Sequence, residues 1–382
     1  MTKRLDSLPV RIQSVRISDR TIWTFVELRD GGMAGIGEAT LEGRTPEVES
    51  ALSRFGTALT GASDGLTEAG LDQIRTWLQS ATSSMVEATA LSALEQALQD
   101  LIARRRGVSI RDRLGRSLRT TIPLYANINR GTVPRTPESF ARRALRAAGQ
   151  GFRAIKLAPF DGVTPQTCAS GEASVLIDAG LARIAAVRAA LIEQAPDCEL
   201  MVDCHWRFND STARQMIGEL AALGVRWYEC PVVESPEHFA LLRALRSLSN
   251  DAGMQLAGAE TMIGVQGFLP LLVAGAYDVV MPDVKHAGGL AETLRIAEVA
   301  ARYQTACSPH NPTGPICHAH SLQVAALIDD MPALEIQFEE SERFFTLADD
   351  GLPVFNRGTS ALPLGPGLGT RCRFDETGAD RT

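Results

Sequence analysis

The chain has no excess of positive charge. Thirty-eight Lys and Arg stand against 45 Asp and Glu, a net charge of −7 over 382 residues. Without a basic footprint, nucleic acid is not an expected partner. No run of about 18 apolar residues is present, so no membrane span is expected. The first residues, Met1 to Asp6, lack the apolar core of a signal peptide. The seven cysteines form no CxxC pair and keep no regular spacing. An odd, dispersed set suits reduced thiols in a cytoplasmic protein, not a disulfide framework. No low-complexity segment appears, and no sequence repeat beyond a strand–helix unit. The apolar share of 45% and charged share of 22% are those of an ordinary globular enzyme.

What is present changes rhythm along the chain. Val10 to Ile17 alternates apolar and polar residues, and Thr21 to Leu28 is β-branched and aromatic. A turn at Arg29–Gly32 then leads to Ala34–Glu38, so antiparallel strands are expected. From Thr45 the pattern is helical, with Pro46 and acids in a first turn. Glu87 to Arg105 is the strongest helix, with Leu91, Leu94, Leu98 and Leu101 on a 3.6-residue period. Residues 1–121 therefore read as an α+β unit. From Ile122 to about residue 345, strands alternate with helices. Eight strands are expected, near residues 123, 152, 200, 225, 255, 278, 305 and 334. The stretch from Pro159 to Gly171 reads as a loop. Such alternation means a parallel sheet. No Gly-rich phosphate loop follows its first strand, which disfavours an open dinucleotide-binding sheet. The expected fold is an α/β (β/α)8-type TIM barrel with an α+β N-terminal cap, completed by residues 346–382. The last residues, Asp375 to Thr382, are expected to be disordered.

The chemistry concentrates at the C-terminal ends of the strands, where barrel active sites lie. Three successive strands end in acids: Asp203, Glu229 and Glu260. Three carboxylates sharing one site repel unless a cation sits between them, and an all-oxygen donor set suits Mg²⁺. Their alternative is three unrelated acids capping the following helices. Period two puts His205 on the same side of its strand as Asp203. The next two strand ends carry Asp283 and His310. A carboxylate beside an imidazole fixes its tautomer and raises its proton affinity, which makes a general base. Glu335, on the last strand, can meet a substrate oxygen, with Glu339 as the rival position. Lys156 reads equally as a catalytic or a structural barrel cation. Asn127, Asn129 and Arg130 at the first strand end, and Trp206 and Arg207 after His205, are candidates to line the pocket. Lys285 reads as supporting the dyad. His286, His318 and His320 read as helix or loop residues.

This ordered set resembles the enolase superfamily, in its mandelate racemase-like branch. The matching residues are Asp203, Glu229 with Pro231, Glu260, Asp283 before Gly288-Gly289, and His310. Gly37-Glu38-Ala39 is similar to a signature of that family's capping domain. The separation of Asp203 from Glu229 is 26 residues and that of Asp283 from His310 is 27, both family-like; Glu229 to Glu260, at 31, is somewhat long. The resemblance implies one Mg²⁺ and removal of a proton beside a substrate carboxylate, with the cation stabilising an enediolate. Racemases of the branch carry Lys-x-Lys on the second strand; here Lys156 is followed at that spacing by Ala158. Asp203-x-His205, the Pro309–Ile316 tract and Glu335 look like the galactonate and mannonate dehydratases, whose histidine at the place of His205 is the general acid. By this resemblance the substrate is a small acid sugar, read by cap loops that include Arg20, Glu42 and Arg44, and a homo-oligomer is expected. A one-base epimerase on the same fold and a non-catalytic metal-binding homologue remain as alternatives.

Overall fold

A computed structural model describes residues 9–80, 84–348, 351–353 and 355–372. The expectation for Asp375–Thr382 falls outside the described residues.

The N-terminal sheet is an antiparallel meander of β1 (Val10–Arg16), β2 (Ile22–Asp30) and β3 (Met33–Glu38). Gly31 and Gly32 make the β2–β3 turn with positive φ, which glycine adopts without strain. Four helices follow: α1 (Thr45–Gly61), α2 (Glu68–Ser80), α3 (Met85–Arg105) and α4 (Ile110–Leu114). Helix α3 starts at Ser84, whose side chain accepts from the Glu87 N–H, and ends in Arg104 and Arg105 against the helix dipole. Leu91, Leu94, Leu98 and Leu101 are fully buried. Each contributes about 1.5–3 kcal/mol relative to an exposed leucine. This helix is buried on every side, because the cap sheet covers one face and the second unit covers another.

That second unit alternates β4 (Thr121–Asn127), α5 (Pro137–Gly149), β5 (Ala154–Leu157), α6 (Pro165–Ser170), α7 (Ser174–Gln194), β6 (Glu199–Asp203), α8 (Asp210–Ala222), β7 (Val225–Glu229), α9 (Phe239–Asp251) and β8 (Gln255–Gly258). It continues through α10 (Gly264–Ala274), β9 (Val279–Val280), α11 (Gly289–Arg302), β10 (Ala306–Cys307), α12 (Pro315–Ala325) and β11 (Leu334–Gln337). Eight parallel strands run in the order β11-β4-β5-β6-β7-β8-β9-β10. Between β10 and the segment before β11, the Cys307 N–H donates to Asp330 O (3.0 Å) and the Ser308 hydroxyl to Ala333 O (2.6 Å). The architecture is the capped barrel expected.

After the short α13 (Arg343–Thr346), β12 (Phe355–Asn356) and β13 (Thr359–Ala361) form a hairpin whose second strand pairs antiparallel with β4. The chain then reaches the cap: the Leu368 N–H donates to Asp100 on α3 (2.6 Å), and Arg104 donates to Thr370 O (2.7 Å). Among the described residues, no helix is long and apolar enough to cross a membrane.

The eight strands lie where the sequence places them, with two corrections. The loop expected over 159–171 contains α6, started by Pro165 and a capping box between Thr164 and Thr167. Glu260, Asp283 and His310 lie past the regular strands, not at their last residues, because β8 ends at Gly258, β9 at Val280 and β10 at Cys307.

Candidate active site

The barrel interior has an apolar floor made by Tyr125, Met201, Trp227, Ala257, Val279, Met281 and Ala306. Side chains two residues further along a strand point the same way, one step nearer the C-terminal mouth. Thus Asn127 rises above Tyr125, Asp203 above Met201 and Glu229 above Trp227, while Met281 and Asp283 lie past the end of β9, outside that rule. Glu260 sits three residues beyond Ala257, and the left-handed Ala259 (φ 73°) re-aims the chain to bring it round. The other two acids are followed by left-handed residues as well, Cys230 at φ 45° and His205 at φ 48°. Non-glycine residues rarely adopt this conformation, and it concentrates at functional sites. His205 departs from the strand expectation: the strand ends at Asp203, and a left-handed turn, not the strand period, folds the imidazole back onto it.

One oxygen from each of Asp203, Glu229 and Glu260 lies within 4.8 Å of the others, and all three residues are buried. Each acid faces a basic side chain. His205 Nε2 is 2.7 Å from Asp203 Oδ2, Lys156 Nζ donates to Glu229 Oε1 (2.7 Å), and His310 Nε2 is 3.3 Å from Glu260 Oε2. The Trp227 indole N–H donates to the second oxygen of Glu229 (2.6 Å). Burial raises the Glu229 carboxyl, and the charges of Asp203, Glu260 and Glu335 raise it further against the pull of Lys156. Burial also raises Glu260, with Asp203 adding to it. Burial opposes ionisation of Asp203, but the neighbouring His205 charge brings it below the ordinary range. A cluster with this strain accommodates a further positive charge. Glu260 Oε2 is buried and makes no hydrogen bond, with only the His310 imidazole at 3.3 Å facing it, so it has room for a divalent cation as partner. The three-carboxylate set fits such an ion.

Asp283 and His310 meet as expected. His310 Nδ1 lies 2.8 Å from Asp283 Oδ2, which leaves Nε2 facing the acids. Burial would lower the imidazole; the carboxylates of Glu260, Asp283 and Glu335 outweigh it and push it up to about 9. Lys285 Nζ donates to the same Asp283 oxygen (2.7 Å), and its backbone N–H to the other (2.7 Å). Asp283 is thereby held well below the usual carboxylate range despite its burial.

Lys156 is buried between Glu229 and Glu335, 3.0 Å from the latter. Glu335 also accepts from Asn127 Nδ2 (2.7 Å) and the Asn311 N–H (3.1 Å), and Lys156 holds it ionised against the effect of burial. It is therefore an acceptor, not a donor. Asn129 Oδ1 accepts from Arg135 (3.0 Å), and Arg207 donates to Phe160 O (2.9 Å). Arg20 is largely exposed and only loosely paired with Glu42, at 3.9 Å. His318 and His320 are buried on α12, and His286 Nδ1 bonds Thr89 (2.8 Å).

Over the dyad lies a cavity of about 160 Å³. Asp283, Lys285 and His310 line its barrel side; Thr21, Thr40, Leu41 and Glu42 line its cap side. The cap segments that follow Arg20 and precede Arg44 thus reach the barrel mouth. Arg130 also lines it, paired with Glu340 at 3.1 Å and Glu42 at 3.8 Å. Trp227 was not singled out from the sequence, although its place two residues before Glu229 was the available signal. Glu234, which accepts from the Ala259 N–H (2.6 Å) and Tyr277 Oη (2.7 Å), has no local sequence signal.

A family model described as enolase C-terminal domain-like matches residues 139–376. The mandelate racemase / muconate lactonizing enzyme N-terminal domain model matches residues 2–115. This chain belongs to the enolase superfamily, in the mandelate racemase / muconate lactonizing enzyme branch. Its relatives in that superfamily include a D-galactonate dehydratase of Variovorax paradoxus (strain S110), 30% identical over 82% of this chain and 77% of that protein. A D-gluconate dehydratase of Thermoproteus tenax is 28% identical over 75% of this chain, a stretch that spans 55% of the relative. The solved mandelate racemase/muconate lactonizing enzyme of Jannaschia sp. CCS1 superposes with a TM-score of 0.80 at 23% identity, covering 95% of this chain and 94% of that one. The last likeness is one of fold.

Proposed function

We propose that this superfamily member is a hydro-lyase that dehydrates an acid sugar, an aldonate or an aldarate, to a 2-keto-3-deoxy acid. One observation carries the reading. The carboxylate triad has an imidazole at two of its corners, His205 against Asp203 and His310 against Glu260. An elimination needs one group to take a proton and another to give one. The names of the dehydratase relatives support the same reaction class.

Asp203, Glu229 and Glu260 would hold the cation, and Mg²⁺ is the choice for an all-carboxylate set. When bound, it would supply the positive charge that a substrate carboxylate needs as the adjacent proton leaves. The rest falls to the chain's own groups. His310 would act from its neutral form, which the acids disfavour until a cation offsets them: Nε2 takes the α-proton, while Asp283 holds Nδ1 and steadies the imidazolium. The C–H electron pair forms the new C=C bond. The C–O pair departs with the β-hydroxyl, which accepts a proton from His205 and leaves as water. The Asp203 carboxylate beside His205 favours its protonated form, as an acid requires. The enol product then becomes the keto acid. Lys156 holds Glu229 and Glu335 in register, with Asn127 bound to the latter. Arg130 and Glu42 face the distal substrate hydroxyls.

His205→Asn tests the division of labour. Dehydration is expected to fall by about 10²–10⁴-fold, the usual worth of a general acid. Exchange of the α-proton with D₂O is expected to persist. A variant that still forms keto acid at the parental rate would remove His205 from the reaction.

A further inference from the structure

Asp283 sits on an irregular segment, residues 281–288, between β9 and α11. A base dyad there is only as well placed as that segment. Helix α11 begins at Gly288 and Gly289 and has no side-chain cap of its own. The cap supplies what is missing. On α3, Ser92 Oγ accepts from the Gly288 N–H (3.0 Å). Glu95 accepts from the Leu290 N–H (2.8 Å) with one oxygen and from the Ala291 N–H (3.2 Å) with the other. Thr89 bonds His286 (2.8 Å), and Gln96 Nε2 donates to Val284 O (3.4 Å). Thr89, Ser92 and Gln96 stand at i, i+3 and i+7, one stripe of a helix, with Glu95 beside them.

The approach is close enough to dictate sequence. A Cβ on Gly289 would meet Glu95 Oε2 at 2.2 Å, and Gly288 and Gly289 have φ of 117° and 84°. Burial pushes the Glu95 carboxyl up to about 7, so keeping an acid there is costly. A purely structural contact could be made by apolar packing instead. The N–H groups at the start of α11 are what a carboxylate satisfies best.

We infer that Glu95, with Ser92, is a positioning group for the Asp283–His310 base, reaching across from the capping domain. The inference rests on the reading of that dyad as the base. The cap then does more than close over substrate: it holds the segment that aims the imidazole. A displacement of about 1 Å in a catalytic group can cost about 10²-fold in rate.

The test compares Glu95→Ala, Glu95→Gln and Asp100→Asn. Asp100 lies on the same helix and is as deeply buried, but its carboxylate serves Ile36, Leu368 and Arg104, not the dyad segment. Glu95→Ala is expected to lower kcat by about 10²-fold with KM little changed. Glu95→Gln, which keeps one acceptor, should recover part of the loss, and Asp100→Asn should keep parental kcat. Independently of any substrate, the proton on His310 Nδ1 is followed by NMR and assigned by its absence in His310→Asn. Its resonance should shift or vanish in Glu95→Ala and stay in Asp100→Asn. An unchanged resonance in Glu95→Ala overturns the inference, whatever the activity. If the parental protein turns over no acid sugar, the functional reading fails while the resonance still judges the positioning. If Glu95→Ala does not fold, Ser92→Ala takes its place in the same comparison.

Discussion

Replacing His310 with Asn is expected to lower both α-proton exchange and dehydration by about 10²–10⁴-fold, the range over which a positioned general base acts. The side chain is half-buried at the site's centre, with Nδ1 engaged by Asp283 and Nε2 turned to the acids. Among the described residues that line the cavity, its partner Asp283 is tied to Lys285 and His286 lies against Thr89, so neither replaces the lost imidazole. The acid triad remains intact, so divalent-cation affinity measured by calorimetry should stay near parental. His205→Asn should separate the two half-reactions; His310→Asn should abolish both. A His310→Asn protein that dehydrates within tenfold of parental would place the base elsewhere.

The second large effect concerns stability. Lys156→Met is expected to cost about 3–5 kcal/mol of unfolding free energy at neutral pH in the metal-free protein. The ammonium is 1% exposed and bonds two fully buried carboxylates, those of Glu229 and Glu335. Methionine fills the space and leaves both acids without their cation. The folded pKa of Glu335 then rises above that in the unfolded chain, and that of Glu229, already raised by burial, rises further. Stability is lost wherever the unfolded state would ionise them and the folded state cannot, that is, as pH rises above the ordinary carboxylate range. The deficit should therefore shrink as pH falls toward that range. Urea titration at two pH values reads this directly. Equal stability of the two proteins at neutral pH would mean that Lys156 is not the cation these acids depend on.

Much of the fold was legible because its signals are local. The period-3.6 leucines of α3 and the strand–helix alternation after Ile122 each need only one stretch of chain. Asp203 and Glu229 were legible for the same reason, since the strand period carries them onto the floor's upward face. Glu260, Asp283 and His310 were legible as residues but not in placement. Left-handed Ala259 turns Glu260 beyond its strand, and a strand period says nothing about such a turn. Helix α6 was missed although Pro165 and the Thr164–Thr167 pair announce it, because the surrounding Gly, Pro and Thr read as loop. Glu95 carried no signal. It lies in a leucine-rich helix, and its partners Leu290 and Ala291 are 195 and 196 residues away. Contacts that cross from cap to barrel appear only in the folded chain.

The proposed reaction is elimination of water from an acid sugar at the Asp203–Glu229–Glu260 site. Its most direct test is proton NMR in D₂O, with protein and Mg²⁺ incubated against a panel of aldonates and aldarates. At least one of them should yield a 2-keto-3-deoxy acid carrying deuterium at C3, and chelating the metal should stop the reaction. Loss of the α-proton signal alone, with no water eliminated from any member of the panel, would contradict it.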